Sequence, residues 1–426
     1  MSTGSTWAKT KLDVAVVGGG AAGMMAALQA SYAGASVALL EKNEKLGKKI
    51  YITGKGRCNV TNTADLEEFF RQVPRNPRFL NAAVRSFGSE DVVSTLEMLG
   101  TRTKVERGGR VFPESDKASD VTRALARGMR EAGVFVELNA EVSHIRKVGE
   151  EMRIALCGGG ELPARSVVVA TGGLSYPSTG STGDGYRFAE ENGLLVTPRR
   201  GSLVGLTMAE RWPQLLQGLS LKNVRVSAKC GKRTIYDELG EMLFTHFGVS
   251  GPLIIELSSH LPEDLSGVSV ALDMKPGLTL EQVDARLVRE FSENARKQLS
   301  SVLLTLMPAR MGPVFAALCG LSPEQGVSQL TREQRRTIAA MLKALPLPVT
   351  GMRPIEEAIV TRGGVDTKEI TPGTMMAKRV PGLFFAGEVL DVDAHTGGFN
   401  LQIAFSTGAL AGRSAAAYAL ETGGRA

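Results

Sequence analysis

Two glycine-rich stretches close to the N-terminus carry the residue types that hold phosphate groups. The first, GGGAAG at residues 18–23, has the spacing G-x-G-x-x-G; the second, GKGRCNVTN at residues 54–62, mixes glycines and cations with a lone thiol and two amides. In the first, Gly18 makes a turn, Gly20 lets the backbone meet a pyrophosphate, and Gly23 lets a following helix pack on the preceding strand. Ala21 and Ala22 put N–H groups at the start of that helix, where an anion is favoured. Glu41 lies 18 positions past Gly23, where a carboxylate can accept from ribose hydroxyls, and Lys42 follows it. In the second stretch, Gly54 and Gly56 permit close backbone approach, Arg57 and Lys49 oppose negative charge on a ligand, and Asn59 offers hydrogen bonds to its oxygens. Cys58 sits between Arg57 and Asn59. A neighbouring guanidinium lowers a thiol pKa, so Cys58 is a candidate reactive group, with a small packing residue as the alternative.

The elements that must position these residues follow from the apolar pattern. Residues 12–17, LDVAVV, are a β-branched run that ends at Gly18; residues 24–33 have helix-forming composition; residues 35–40 form a second strand ending at Glu41. A second βαβ-like stretch runs through residues 134–138 and 140–142, including Val142, to the apolar strand SVVVA at 166–170. That strand closes in Ala170, Thr171, Gly172 and Gly173, the A-T-G-G that FAD-binding Rossmann domains place beneath the cofactor. Near the C-terminus, GLFFAGE at 382–388 is another strand, ending at Gly387 and Glu388, the acid being placed for the ribityl or phosphate region. HTGGFNL at 395–401 then opens a helix expected to run to about Tyr418. Its first residues, Gly397, Gly398, Phe399, Asn400 and Leu401, offer N–H groups and a positive dipole end to the flavin C2 carbonyl and N1. Both ends of the chain are thus expected to meet on one flavin.

Composition bounds the rest. A chain of 426 residues exceeds the size at which one core stops growing, so two or three domains are expected. The apolar fraction of 43% and charged fraction of 22% are those of an ordinary globular protein, while 49 glycines in short runs point to close backbone approach. A net charge of +6 is a modest basic excess, compatible with phosphate-bearing ligands or RNA. Four scattered cysteines with no CxxC pair indicate neither a metal cluster nor a disulfide framework. With no long apolar N-terminal run and no stretch able to cross a bilayer, the expected location is cytoplasmic and not integral to the membrane.

In chain order, the motifs GGGAAG, TGKGRCNVTN, ERGGRVFPESDKASDV, ATGGLSYPSTGSTGDGY, GEMLFTHFGVSGP, TRGGVDTKEI and GEVLDVDAHTGGFNLQIAFSTG resemble the BaiN-like/RdsA-like NAD(P)/FAD-dependent oxidoreductases, which are bacterial flavoproteins. The resemblance spans essentially the whole chain. It implies an α/β fold: a glutathione-reductase-like, FAD-binding Rossmann domain interrupted by an inserted β-barrel and a small helical domain. It also implies reduction of activated C=C bonds, with one branch linked to bile-acid enones and another to dihydrouridine in large-subunit ribosomal RNA. The residues support the interruption independently, since 202–206, 224–228 and 268–272 alternate like strands and 280–345 is helical, punctuated by Pro308, Pro313 and Pro323. The expected boundaries are residues 1–194 and 351–426 for the FAD domain, 195–278 for the barrel and 279–350 for the helical insert.

If flavin carries the hydride, the chain must bind FAD, seat an acceptor and supply a proton. Cys58, His246 and His395 are the candidate catalytic residues, with Tyr176 a further donor by type. His246, in FTHFG, is expected at the mouth of the inserted domain or as a turn-holding residue; His395 precedes the helix beside the flavin. The loop at 178–185 suits either a cleft wall or a helix cap. Arg107, Arg110, Lys117 and Arg123 form a basic stretch with two readings, contact with a phosphate backbone or a solvated helix face, and the second is favoured because no aromatic residues interleave with them. No second G-x-G-x-x-G is present, so NAD(P)H is expected as a transient donor at the open flavin face, or another donor replaces it. Two other function classes remain open on residues alone: an FAD-dependent amine or aminoketone oxidase, and a non-catalytic flavin-bound RNA-binding protein. Substrate partners are a small molecule or ribosomal RNA, not DNA, and no motif specifies an oligomeric state.

Overall fold

The run Leu12–Val17 forms a strand whose neighbours on both sides are parallel, Val37–Glu41 and Glu161–Val169, with Val14 opposite Val37 and Ser166. Parallel strands are covered on both faces, which is why these segments read as continuous apolar runs instead of alternating ones. A computed structural model describes residues 12–424 and divides the chain into two units, Met1–Ser202 with Ile355–Ala426, and Leu203–Pro354. In the first unit the sheet runs in the order Phe135–Leu138, Val37–Glu41, Leu12–Val17, Glu161–Val169, Glu151–Leu156, Val142–Val148, and Leu383–Phe385 pairs in parallel with Glu161–Val169.

Two helices bring the chain ends together. The helix Ala21–Tyr32 packs along the C-terminal helix Phe399–Gly423, and both contact surfaces are made of small residues. A Cβ on Gly408 would collide with the carbonyl of Ala22, and one on Gly412 with that of Ala26, so glycine sets the approach. The core beneath includes Met24, Met25, Phe384, Phe385 and Phe405, all but excluded from solvent.

The second unit is a seven-stranded sheet in the order Leu345–Pro346, Val268–Asp273, Ser220–Cys230, Arg233–Phe244, Gly248–Ser250, Leu206–Met208, Val349–Met352. Its two edge strands are separated only by residues 347 and 348, so the sheet curls back on itself. The helices Leu280–Glu293, Met311–Leu318 and Arg332–Lys343 do not form a body apart from it. Their Leu287, Phe315 and Leu342 share one core with Val226 and Leu272 of the strands, so no boundary separates residues 278 and 279. The first unit also keeps more chain than residues 1–194 and 351–426 would give it at the first junction. Arg200–Ser202 pairs antiparallel with Val360–Arg362, which holds residues 195–202 in that unit and moves the division to 202/203; the return falls at 354/355.

Candidate active site

The carboxyl ends of the parallel strands open onto a cleft walled by Val17, Gly18, Leu40, Glu41, Ala170, Thr171, Ala386 and Gly387 among others. Crevices outside the carboxyl ends of strands are where open α/β sheets bind ligands. Gly18 has φ +106, and a Cβ there would lie 2.5 Å from the Ala170 carbonyl oxygen. Gly23 is needed inside the fold, since a Cβ would overlap the carbonyl oxygen of Gly18. Gly20 differs from both: its φ is −80 and a Cβ would meet nothing within 4 Å. The protein itself does not require glycine at that point, so its bareness serves what approaches from the cleft. Gly20 is also the N-cap of Ala21–Tyr32 and provides no side-chain cap, which leaves the first-turn N–H groups to a ligand.

Charged groups line the same wall. Glu41 is buried, and its Oε2 accepts from the Gly19 N–H at 2.6 Å while its Oε1 accepts from the Asn43 N–H at 2.8 Å and Nδ2 at 2.6 Å. Three of about four acceptor sites are taken, so the carboxylate is fixed in place with one site left. Lys42 Nζ is 2.7 Å from Asp184 Oδ2 and bonds Thr182, tying the 178–185 loop to the end of the second strand. Lys49 Nζ lies 2.5 Å from Glu388 Oε2 and from Ser175 Oγ, and Glu388 Oε1 accepts from the Thr361 N–H at 2.8 Å and Ser175 at 2.9 Å. Glu388 therefore pairs with Lys49 within the wall and, like Glu41, keeps about one acceptor site. Thr171 Oγ1 is buried in the wall without a hydrogen-bond partner. The bare Gly20, the uncapped helix start and the unpartnered Thr171 hydroxyl together fit an FAD-type dinucleotide.

Of the residues expected to bind cofactor, Gly18, Gly20, Ala21, Ala22, Glu41, Lys42, Lys49, Val142, Ala170, Thr171, Gly172, Gly387, Glu388, Asn400 and Leu401 meet in this wall. The structure does not bring Gly23, Gly54, Gly56, Arg57, Cys58, Asn59, Gly397, Gly398 or Phe399 into it. The second glycine stretch divides at Thr53. Lys49, Ile50 and Thr53 face the cleft, whereas Gly54, Lys55 and Gly56 are exposed and turn outward with φ +56, +58 and +86. Arg57 does not oppose flavin charge: its Nε donates to Asp116 at 2.8 Å, it pairs with Glu106, and it lies 4.1 Å over the Phe112 ring. Those bonds raise the Arg57 pKa and hold Glu106 below the usual carboxylate range, and Asp116 is held low first by its hydrogen bond from Lys104 and then by Arg57.

The expected reactive thiol is corrected by burial. Cys58 has no exposure and φ +61, and loss of water pushes its pKa up to about 12, against a smaller lowering by a hydrogen bond with Thr53. With Arg57 turned to its own acids, no cation stabilises a thiolate there. Asn59 Oδ1 is buried without a partner and faces the turn at Gly398, where a Cβ would come 3.0 Å from it. Gly398, at φ +102, abuts the Thr61 carbonyl, and Phe399 packs edge-on against Phe69 at 5.9 Å. These residues seat the helix start from behind. Asn400 clamps the preceding loop by accepting from the Ala394 N–H at 2.9 Å and donating to its carbonyl at 2.7 Å.

His395 is buried, its N–H donates to the Gln72 carbonyl at 2.9 Å, and its Nδ1 is 3.0 Å from Gln72 Oε1. His246 belongs to the other unit, exposed, with its ring edge-on to Phe247 at 5.0 Å. Of the two roles expected of the 178–185 loop the structure shows the cleft wall, through Thr179, Gly180, Ser181 and Asp184; Gly183 stands at the N-cap of the helix Asp184–Glu191 and no side chain caps it. Sequence reasoning missed Asn43, Ile50, Thr53, Phe188 and Val360 as wall residues. Asn43 was within reach of a local signal, two residues past Glu41; Val360 was not, because its place depends on where the chain re-enters after the inserted unit.

Residues 12–414 match the HI0933-like protein Rossmann domain family. The chain is 31% identical over 399 residues to the ribosomal RNA dihydrouridine synthase of Haemophilus influenzae, covering 92% of this chain and 95% of that one. It is also 31% identical over 408 residues to the 3-dehydro-bile acid Δ(4,6)-reductase of Clostridium scindens, covering 95% and 98%. In fold it is similar to the FrdA subunit of Escherichia coli quinol fumarate reductase, with TM-score 0.51 and 16% identity over 97% of this chain and 71% of that one. No described helix is long and apolar enough to cross a membrane. The chain belongs to the HI0933-like Rossmann-domain family and is a flavoprotein oxidoreductase of the BaiN-like and RdsA-like kind.

Proposed function

We propose that this protein is an FAD-dependent reductase of activated C=C bonds, with uridine in ribosomal RNA as substrate and NAD(P)H as a transient electron donor. The observation that carries it is the cleft itself: a dinucleotide fingerprint opening on a bare Gly20, in a chain similar along its length to a uridine-reducing enzyme. FAD, when bound, supplies the hydride chemistry. The chain's own residues then have distinct tasks. The N–H groups at Ala21 and Ala22 take the pyrophosphate, Glu41 takes a ribose hydroxyl with its remaining acceptor site, and Thr171 gives a hydrogen bond from the strand end. The Lys49–Glu388 pair keeps a cation at the wall without leaving a lone buried charge. For the proton we put forward His395, whose ring is oriented through Nδ1 by Gln72. The transient donor is supported by the single nucleotide fingerprint in the sequence.

A second reading, reduction of a small enone, is favoured by the equal identity to the bile-acid reductase over nearly the whole chain. The test is mass spectrometry of ribosomal RNA nucleosides from cells with and without the gene, together with turnover by purified protein. Loss of a uridine species heavier by two hydrogen atoms is the expected result. An unchanged spectrum with steroid enone turnover selects the second reading, and reduced protein that neither substrate reoxidises overturns both. A His395→Gln protein is expected to keep its flavin and lose about 10²-fold or more in turnover.

A further inference from the structure

We infer that Lys55, Arg107 and Arg110 form a cationic rim beside the cleft that holds the phosphate backbone of a single-stranded RNA segment, an inference that rests on the RNA reading above. The sequence alone favoured a solvated helix face for Arg107 and Arg110 over contact with a phosphate backbone. In the structure they stand instead at the tip of a hairpin, Thr103–Glu106 paired with Arg110–Pro113, with Arg107, Gly108 and Gly109 as its turn. The outward half of the second glycine stretch packs on the same hairpin. A Cβ on Gly54 would lie 3.2 Å from the Phe112 ring, and Arg57 covers that ring at 4.1 Å. Arg110 also lies over that ring, at 5.7 Å, so the chain at Lys55 and the arginine strand border one ring.

The acids of this surface are already occupied. Glu106 and Asp116 are bound by Arg57, and Asp116 also by Lys104 at 2.6 Å. Glu114 lies at the far end of the hairpin, past Pro113, which is opposite Thr103. Among the described residues Lys55 and Arg107 have no acidic partner, and Arg110 reaches only 3.9 Å from Glu106 while its Nε donates to the Arg107 carbonyl at 3.1 Å. All three side chains belong to exposed residues.

The rim is fastened to the cleft at both ends. Thr53, a wall residue, leads directly into Gly54. On the other side the Asn62 amide donates to the carbonyls of Gly108 and Gly397, each at 3.0 Å, linking the arginine turn to the loop that precedes wall residues Asn400 and Leu401. A base that enters an active site must leave its stack, and its flanking phosphates then need a positive track close to the entrance. A neutral enone makes no such demand.

The measurement is binding of FAD-loaded, full-length protein to a fluorescein-labelled single-stranded oligouridylate, by anisotropy, across a series of KCl concentrations. The Lys55→Gln/Arg107→Gln/Arg110→Gln protein is expected to bind more weakly and to show a log K against log salt slope shallower by about 2, from three lost contacts at about 0.7 each. Its flavin absorbance and its turnover of a 3-oxo-4-ene steroid, if the wild type has one, should match the wild type. An unchanged slope in a variant whose wild type reduces uridine overturns the rim and leaves the RNA reading standing. A wild type that neither binds the oligouridylate nor reduces uridine overturns both.

Discussion

At Gly18 and Gly23 glycine answers crowding inside the fold, whereas at Gly56 it answers only the direction of a turn. A Cβ on Gly18 or Gly23 would run into backbone of the neighbouring strand or of the same turn. At Gly56 the nearest atom to a Cβ would be 3.9 Å away, and only the φ of +86 argues for glycine. The two stretches look equivalent in composition, yet one is sealed between strand and helix and the other stands in solvent. The difference teaches that glycine density marks backbone demands, and that the neighbours decide whether those demands come from a ligand, from packing or from a turn.

That contrast can be broken most sharply at Gly23. A Gly23→Ala protein should lose about 3 kcal/mol of stability through overpacking, together with most of its flavin, as read from its urea midpoint and its absorbance after purification. Next in size is the pH dependence set by Cys58, where the outward loop returns to the core. Its folded pKa of about 12 lies above the ordinary value of 9.0, so the folded state holds the proton more tightly than the unfolded chain. The stability linked to this thiol is complete below about pH 9 and is lost as pH rises towards 12, at up to about 1.4 kcal/mol per pH unit. Cys319, raised by burial in the same way, adds a second such group, so Cys58→Ala should flatten the decline between pH 9 and 11 without abolishing it. Turnover of that variant at neutral pH should stay near wild type, and a large loss would restore the thiol to the mechanism. The smallest effect belongs to Gly56→Ala, expected to cost about 1 kcal/mol in left-handed strain while leaving flavin content unchanged.

Local chemistry made much of the cleft readable. The strand, G-x-G-x-x-G turn and helix at 12–32, Glu41 at the next strand end, and Ala170–Gly172 at the end of a third all carry signals within a few residues of themselves. The outward half of the second stretch was misread because Gly-Lys-Gly-Arg has the same composition whether it faces a ligand or water. What turned it outward is Phe112 with Glu106 and Asp116, which capture Arg57 from a hairpin about 50 residues further on in the chain. The pairing of Glu388 was hidden for a similar reason. Its partner Lys49 is 339 positions away, and nothing near either residue announces the pair.

Sequence by itself determined the dinucleotide fold, the residues that must be small at its turn, and the return of the chain's C-terminal helix to its N-terminal one. These depend on periodicity and on glycine, whose constraints are local. Tertiary structure alone decided which charges remain available. It paired Lys49 with Glu388, closed Arg57 between two acids, drew water away from Cys58, and left Lys55 and Arg107 without acidic partners among the described residues. Charge and acidity depend on what lies within a few ångströms in space, and the residues that meet there are far apart along the chain.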